Sequence, residues 1–486
     1  MWRHCRQSLV LCNACSRFNQ VSQRHFLSRE YAMQDIWENR WPSTVENVPF
    51  GRLSVKMVEN FEKFGRSSLI DMEMFVNSLK NISQENMELV EDIMYRFRHS
   101  DDAFPVRDSI VNAIVRSYID LDIAQRLVPL IKDKLGYGLL LDFYTANLLM
   151  SHFLQKNLIQ EAAEVAYEMI FQEDTSHTLT NCLSLYCCLK RLQDITNIQP
   201  EEDPPIIPAE DEEWVRVKIV HYPVYDDHFD IQKEHFRLGK SLYFLGKANV
   251  IRDENSTKKD LVSRSLQFVG LGLYNKFNKA LDLLESWIAE GKSSKAPVLC
   301  QSQIETFRNH LNWSPTRDPE EEELDLGQQT MEYQARKLYL TEDEKAACIE
   351  RFEKLVEELK SFNGIADEDI YTYTMDNIKA QIPDLQKQDI DTQKQKYQIW
   401  KTEMADLYKK ELREEERRKK QEEIQVKMAE LAEKEELILS HERKRHILLA
   451  RHRVPKERVL KKKVELDEDE LEDRMKASRA LIKKKK

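Results

Sequence analysis

The chain has 486 residues, 11 of them Gly and 14 Pro, with 33% charged and 41% hydrophobic residues and a formal net charge of −11. Gly and Pro supply the tight turns that sheets and barrels need, so a chain this poor in both is not mostly β. It is too apolar to be wholly disordered and too acidic to coat nucleic acid over its whole surface, so any such contact must be local.

The first predicted element is a leader, residues 1–31. Arg3, Arg6, Arg17, Arg24 and Arg29 precede any Asp or Glu, and Ser8, Ser16, Ser22 and Ser28 are mixed with Leu9, Val10, Leu11, Phe18, Val21, Phe26 and Leu27. An amphipathic, Arg-rich, Ser-bearing, acid-free N-terminus is the composition of a mitochondrial presequence. Arg29-Glu30-Tyr31-Ala32 resembles a matrix processing-peptidase site and predicts cleavage after Tyr31. Residues 32–66 read as an N-terminal extension.

Residues 67–199 repeat. Val76, Val111 and Ala146 are 35 apart, as are Leu79, Ile114 and Leu149, and the same step links Asn77, Asn112 and Asn147. Apolar residues at spacings of three and four give each unit two amphipathic helices. A helix pair cannot bury its apolar face alone, but stacked pairs form a continuous core, as in a solenoid. The best-formed unit places Gly138, Asp142, Asn147, Ala162 and Met169 at spacings that resemble a pentatricopeptide repeat. Ala162 is small because the helices of a hairpin approach closely there, and Ala124 stands in for it in the preceding unit. The fold class expected is all-α: an α-solenoid of pentatricopeptide-like helical hairpins followed by a long C-terminal helix.

An acidic Pro-rich linker and an extended segment with strand-like alternation occupy 200–228, and further helical hairpins 229–313. A second acidic linker spans 314–341. A hairpin at 342–382 opens with a capping box, Thr341 with Glu344, and its first helix ends at Gly364. Residues 384–454 lack Gly and contain no Pro, predicting one helix of up to about 70 residues, on the order of 100 Å long. Residues 413–423 are entirely polar, and an apolar stripe returns only at Ile424, Met428, Leu431 and Ile438. A coiled coil needs a longer seam, so the helix reads as a solvent-bridging arm that docks at its ends. The charged tail, 455–486, completes a basic region in which 443–463 carry ten Lys/Arg against one acid, Glu457.

Catalytic motifs fail. Gly239-Lys240-Ser241 resembles the end of a P-loop, but Glu234 stands where the first Gly is required. Gly270-Leu271-Gly272 lacks the third Gly of a dinucleotide loop. His441 and His446 are five apart and do not stack as a zinc helix needs. Cys182, Cys187, Cys188, Cys300 and Cys348 show no paired spacing for zinc or disulfides and read as buried thiols. No apolar run approaches a membrane span. No cofactor, metal or small-molecule substrate is expected, and the chain is not expected to be an enzyme.

Several strings together resemble the pentatricopeptide-type ribosomal proteins of the mitochondrial small subunit, the S-twenty-seven family. They are Tyr95-Arg-Phe-Arg-His-Ser100, Asp142-Phe-Tyr-Thr-Ala-Asn-Leu-Leu-Met150, Leu183-Ser-Leu-Tyr186, Glu350-Arg-Phe-Glu-Lys-Leu355 and Tyr397-Gln-Ile-Trp400, in the family's order over about 65–410. The strand-like 214–228 and the basic tail depart from that pattern. The resemblance implies a matrix protein that binds small-subunit mitochondrial ribosomal RNA and other mitochondrial ribosomal proteins and supports translation without catalysis. A free RNA-binding factor for organelle RNA stability or processing and a purely structural α-helical scaffold remain the alternatives.

In pentatricopeptide proteins the Asn position and the Asp ending the repeat face a base. Asn112 with Asp142 fits that pair; Asn147 would meet His177, which does not. The candidate RNA-binding residues are therefore Asn77, Asn112, Asp142 and Asn147, with Arg96, Arg98 and His99 beside the core residue Phe97. The strongest electrostatic candidates are in the tail: Arg443, Lys444, Arg445, Arg451, Arg453, Lys461, Lys462 and Lys463.

Overall fold

A computed structural model describes residues 26–41, 48–79, 82, 86–100, 107–195, 233–249, 256–294, 297–317 and 339–439. The strand-like 214–228, most of both acidic linkers and every basic tail residue named above lie outside the described residues. The described part is an all-α helical repeat fold ending in a long helix. Its helices are α1 Gln34–Glu38, α2 Phe50–Phe64, α3 Leu69–Ser78, α4 Met87–Arg98, α5 Asp108–Asp120, α6 Leu127–Lys132, α7 Phe143–Gln155, α8 Ile159–Ile170 and α9 Thr178–Ile195. They continue with α10 Glu234–Ala248, α11 Ser256–Leu273, α12 Phe277–Ser294, α13 Gln301–Trp313, α14 Glu342–Ser361 and α15 Ile370–Leu439.

The hairpins share one turn. Asp122, Asn157 and Asn275 adopt φ of 62°, 59° and 57°. The next N–H in each case closes back five residues: Ile123 to the Tyr118 carbonyl at 3.0 Å, Leu158 to Phe153 at 2.9 Å and Lys276 to Leu271 at 3.0 Å. Asn and Asp tolerate the left-handed region better than other side-chain-bearing residues, so this six-to-one closure ends one helix and starts its partner. Five residues past the turn stand Ala162 and Ala280, both fully buried where helices pack closely. In the preceding unit that register falls on Leu127. Ala124, expected to be the small residue, lies instead in a short 3-10 turn, Ala124–Arg126.

Asp142 caps α7, accepting from the Thr145 N–H at 3.0 Å, and Thr341 with Glu344 forms the expected capping box on α14. The second helical group, α10 to α14, is centred on packed aromatics, with Phe268 stacked on Phe307 at 4.2 Å and Phe352 tilted against Phe307 at 5.0 Å. Gly239 and Gly270, which resembled fragments of nucleotide loops, are the contact between α10 and α11. A Cβ at either would come within 2.6 Å of the other's carbonyl oxygen. A short parallel pairing, β1 Leu299–Cys300 with β2 Ile365–Ala366, joins two loops of this group.

Two expectations change. Pro383 lies inside α15 instead of ending a separate hairpin helix. A proline removes one N–H and disturbs one turn, and packing on both sides, at Ile382 and Ile390, holds the helix through it. Contact is also not confined to the ends of an arm. The buried stripe of α15 runs Met375, Ile378, Ile382, Asp389, Gln393, Tyr397 and Met404. The molecule divides into two compact units at Leu407 and Tyr408, within this helix. In the second unit residues 421–436 are exposed, including Ile424, Met428 and Leu431.

The five cysteines of the described part are free and buried, as expected. Among the described residues no group of His, Cys, Asp and Glu could hold a metal, and no helix is long and apolar enough to cross a membrane.

His310 on α13 offers a pH test. Burial lowers its pKa to about 4, and its Nε2 is buried without a hydrogen-bond partner. Because the folded value lies below the unfolded value near 6.5, the neutral ring stabilises the fold above pH 6.5. That contribution is lost as pH falls toward 4, up to about 3 kcal/mol. The variant His310→Gln should flatten the fall in unfolding free energy between those limits, as read by denaturant titrations at stepped pH. An unchanged slope would remove His310 as its source.

Candidate functional site

The residues with a possible RNA role from the repeats sit on the first helix of each hairpin: Asn77 on α3, Asn112 on α5 and Asn147 on α7. The 35-residue step places them in register on one inner face. That face is not open. A strap, residues 26–41, and the first half of α15 lie along it.

The strap begins with a 3-10 turn, Arg29–Ala32, followed by α1. Leu27, Tyr31, Met33 and Trp37 are buried. Tyr31 stacks on Tyr144 of α7 with ring centroids 5.0 Å apart. Its hydroxyl donates to Asp389 of α15 and accepts from Asn147 Nδ2 at 3.1 Å. The Tyr144 hydroxyl donates to the Tyr31 carbonyl at 2.7 Å. Burial, helped by the Asp389 charge, pushes the Tyr31 hydroxyl well above its ordinary pKa, so it stays a donor.

Arg116 of α5 is the hub. Its Nε donates to Asn112 Oδ1 at 3.2 Å. Its Nη2 reaches the Ala32 carbonyl at 2.6 Å, the Tyr144 hydroxyl at 2.7 Å and the Tyr397 hydroxyl at 3.0 Å. The guanidinium also lies 4.7 Å from the centre of the Trp37 ring. One side chain thus ties a repeat asparagine, the strap and the long helix together. Arg40 makes a parallel contact one unit earlier, donating to Asn77 and lying 3.2 Å over Trp37. Burial, with the nearby Arg116 charge, lowers the Arg40 pKa to about 9.

Polar contacts continue along α15. Arg107 pairs with Glu403, and the Lys396 ammonium lies 3.8 Å from Asp142. His177 Nε2 is 3.3 Å from Asp389, while its ring stacks on Phe143 at 4.9 Å. Burial pushes the Asp389 carboxyl up, but hydrogen bonds from His177 and Tyr31 outweigh it and hold the carboxyl below its ordinary value. The Asp142 carboxyl is raised by its own burial against the opposing pull of its cap bonds and Lys396.

The four repeat candidates are therefore occupied within the chain. Asn112 and Asn147 are fully buried, Asn77 is half-buried against Arg40 and the Glu73 carbonyl, and Asp142 is a helix cap. The α4 candidates differ. Arg96 is exposed and pairs with Asp92 at 2.9 Å. His99 is exposed, with its ring 4.3 Å from that of exposed Tyr95. Arg98 lies across Gly138, whose φ of 63° and missing side chain make room for it. Arg96, Arg98 and His99 all lie at the C-terminal end of α4, but each side chain has a different neighbour: Asp92, Gly138 and Tyr95. Sequence reasoning missed Tyr31, Arg116, Asp389 and Tyr397. A buried arginine at Arg116 follows no periodicity that would single it out.

The family model for the mitochondrial 28S ribosomal protein S27 matches residues 1–430 of this chain. The chain belongs to that family, and so to the proteins of the mitochondrial small ribosomal subunit.

Proposed function

We propose that this member of the mitochondrial 28S ribosomal protein S27 family is a structural, non-catalytic component of the matrix ribosome, delivered there by its N-terminal leader. It contacts ribosomal RNA through exposed basic groups and neighbouring ribosomal proteins through its helical surface. The observation that carries the choice of RNA surface is the filled inner face: Asn112 and Asn147 have no exposed area to offer a base. Reading single-stranded RNA by a repeat requires one splayed base per repeat against free side chains. The groups left for phosphate are Arg96 and Arg98 on α4, His99 at its C-cap and the basic run 443–463.

Sedimentation of mitochondrial lysate through a sucrose gradient after a high-salt wash tests the assignment. Co-migration with the small subunit is expected, and a position in the top fractions would favour the free RNA-binding factor. A chain ending at residue 439 should bind RNA more weakly, with the salt slope reduced by about 0.7 for each phosphate that is no longer neutralised. An unchanged slope would remove the tail from the interface.

A further inference from the structure

We propose that the leader is removed after Phe26, so that the mature chain begins at Leu27 and keeps the strap that fills the repeat face. This rests on the leader reading given under the proposed function. Two Arg-x-aromatic triplets lie five residues apart, Arg24-His25-Phe26 and Arg29-Glu30-Tyr31. As sequence they offer equivalent cuts. What each cut leaves behind is not equivalent.

The peptidase meets an extended, importing chain, so the fold shields neither bond. Hydrolysis adds one water across the peptide bond, sending a new carboxylate away with the leader and leaving a new ammonium on the mature chain. A cut at Tyr31–Ala32 removes Leu27 and Tyr31, which are 3% and 1% exposed. Asp389 then loses the donor that helps hold its charge, Asn147 loses its acceptor, and Tyr144 loses both a stacked ring and the carbonyl it bonds. The new ammonium would form on Ala32, the residue whose carbonyl already receives the Arg116 guanidinium at 2.6 Å. It would place a positive charge against a buried positive charge.

A cut after Phe26 costs far less. Of the described residues only Phe26 goes, a half-buried ring 4.4 Å from Tyr186 that borders a cleft of about 620 Å³. Leu27 stays buried, the Ser28 N–H still donates to Gln386 at 3.1 Å, and the Tyr31 hydrogen bonds are intact. The strap is thus part of the folded protein, and the boundary of the leader moves five residues toward the N-terminus from the cut after Tyr31.

Import of the full-length precursor into isolated mitochondria, followed by N-terminal sequencing of the processed form, tests this. A Leu27 start is expected. An Ala32 start overturns the proposal and leaves the leader reading standing, whereas an intact Met1 overturns both. In the same assay Arg24→Ala should abolish the Leu27 terminus and Arg29→Ala should leave it unchanged; the reverse pattern overturns the proposal. Independently of import, chains beginning at Leu27 and at Ala32 can be melted side by side. The Ala32 chain should melt lower by on the order of 5–10 °C, and equal melting temperatures would overturn the idea that the mature fold needs the removed segment.

Discussion

Replacing Arg237 with methionine should lower the unfolding free energy by about 3 kcal/mol, the low end of the cost of breaking a buried ion pair. Arg237 on α10 is 6% exposed, and its guanidinium spans two carboxylates one turn apart on α8, Glu164 and Glu168, which are 6% and 7% exposed. One nitrogen meets Glu164 and the other lies 2.7 Å from Glu168. Removing the cation leaves two buried carboxylates side by side. Lys132 and Lys134 also reach them, Lys132 at 2.9 Å, but from more exposed positions, which is why the low end of the range applies. Because the bridge joins the repeats to the second helical group, hydrogen exchange in Glu234–Ala248 should accelerate first. Urea unfolding of Arg237→Met and of the triple variant with Glu164→Gln and Glu168→Gln separates charge from packing. The triple variant should recover most of the loss; if it does not, the arginine acts mainly by filling space.

How much of this was legible before the fold was known depends on what the information is made of. The 35-residue step, the small Ala162 and the Thr341–Glu344 box are local, and all three are where periodicity and capping chemistry placed them. The filling of the inner face is not local, since Tyr31 and Asp389 are 358 residues apart. Apolar patterning even pointed the wrong way on α15. Ile424, Met428 and Leu431 form the stripe visible in the sequence, yet each is more than half exposed. The stripe that is buried includes Asp389 and Gln393, because the surface it meets is itself polar, made of His177, Asn147 and Tyr31. A hydrophobicity pattern cannot mark an interface whose two sides match by hydrogen bonds. The glycines show the same limit. Gly239 and Gly270 are near-motifs in the sequence and a helix contact in space, and only the second fact explains why both lack a side chain.

The second large effect is expected at Arg116. Arg116→Met keeps the length and apolar stem of the side chain but removes donors to Asn112, Ala32, Tyr144 and Tyr397. Hydrogen bonds to a charged group contribute about 1.5–3 kcal/mol each, and acceptors left buried without donors cost more. A loss of about 3 kcal/mol or more follows, and limited proteolysis should cut first in residues 26–41. The same variant discriminates between the two ways in which such a repeat could meet RNA. If the asparagine row were a base-reading surface held shut by the strap, loosening the strap would expose Asn112 and Asn147 and raise RNA affinity while the protein became less stable. If the row is instead a seat for the strap and the long helix, stability falls and RNA affinity and its salt slope stay where they were. A tyrosine hydroxyl holds Asn147 Nδ2 and a guanidinium holds Asn112 Oδ1, both from the same chain, and neither asparagine has exposed area to offer a base. The second outcome is therefore the expected one, with stability read by urea unfolding and RNA binding by salt titration on the same preparation.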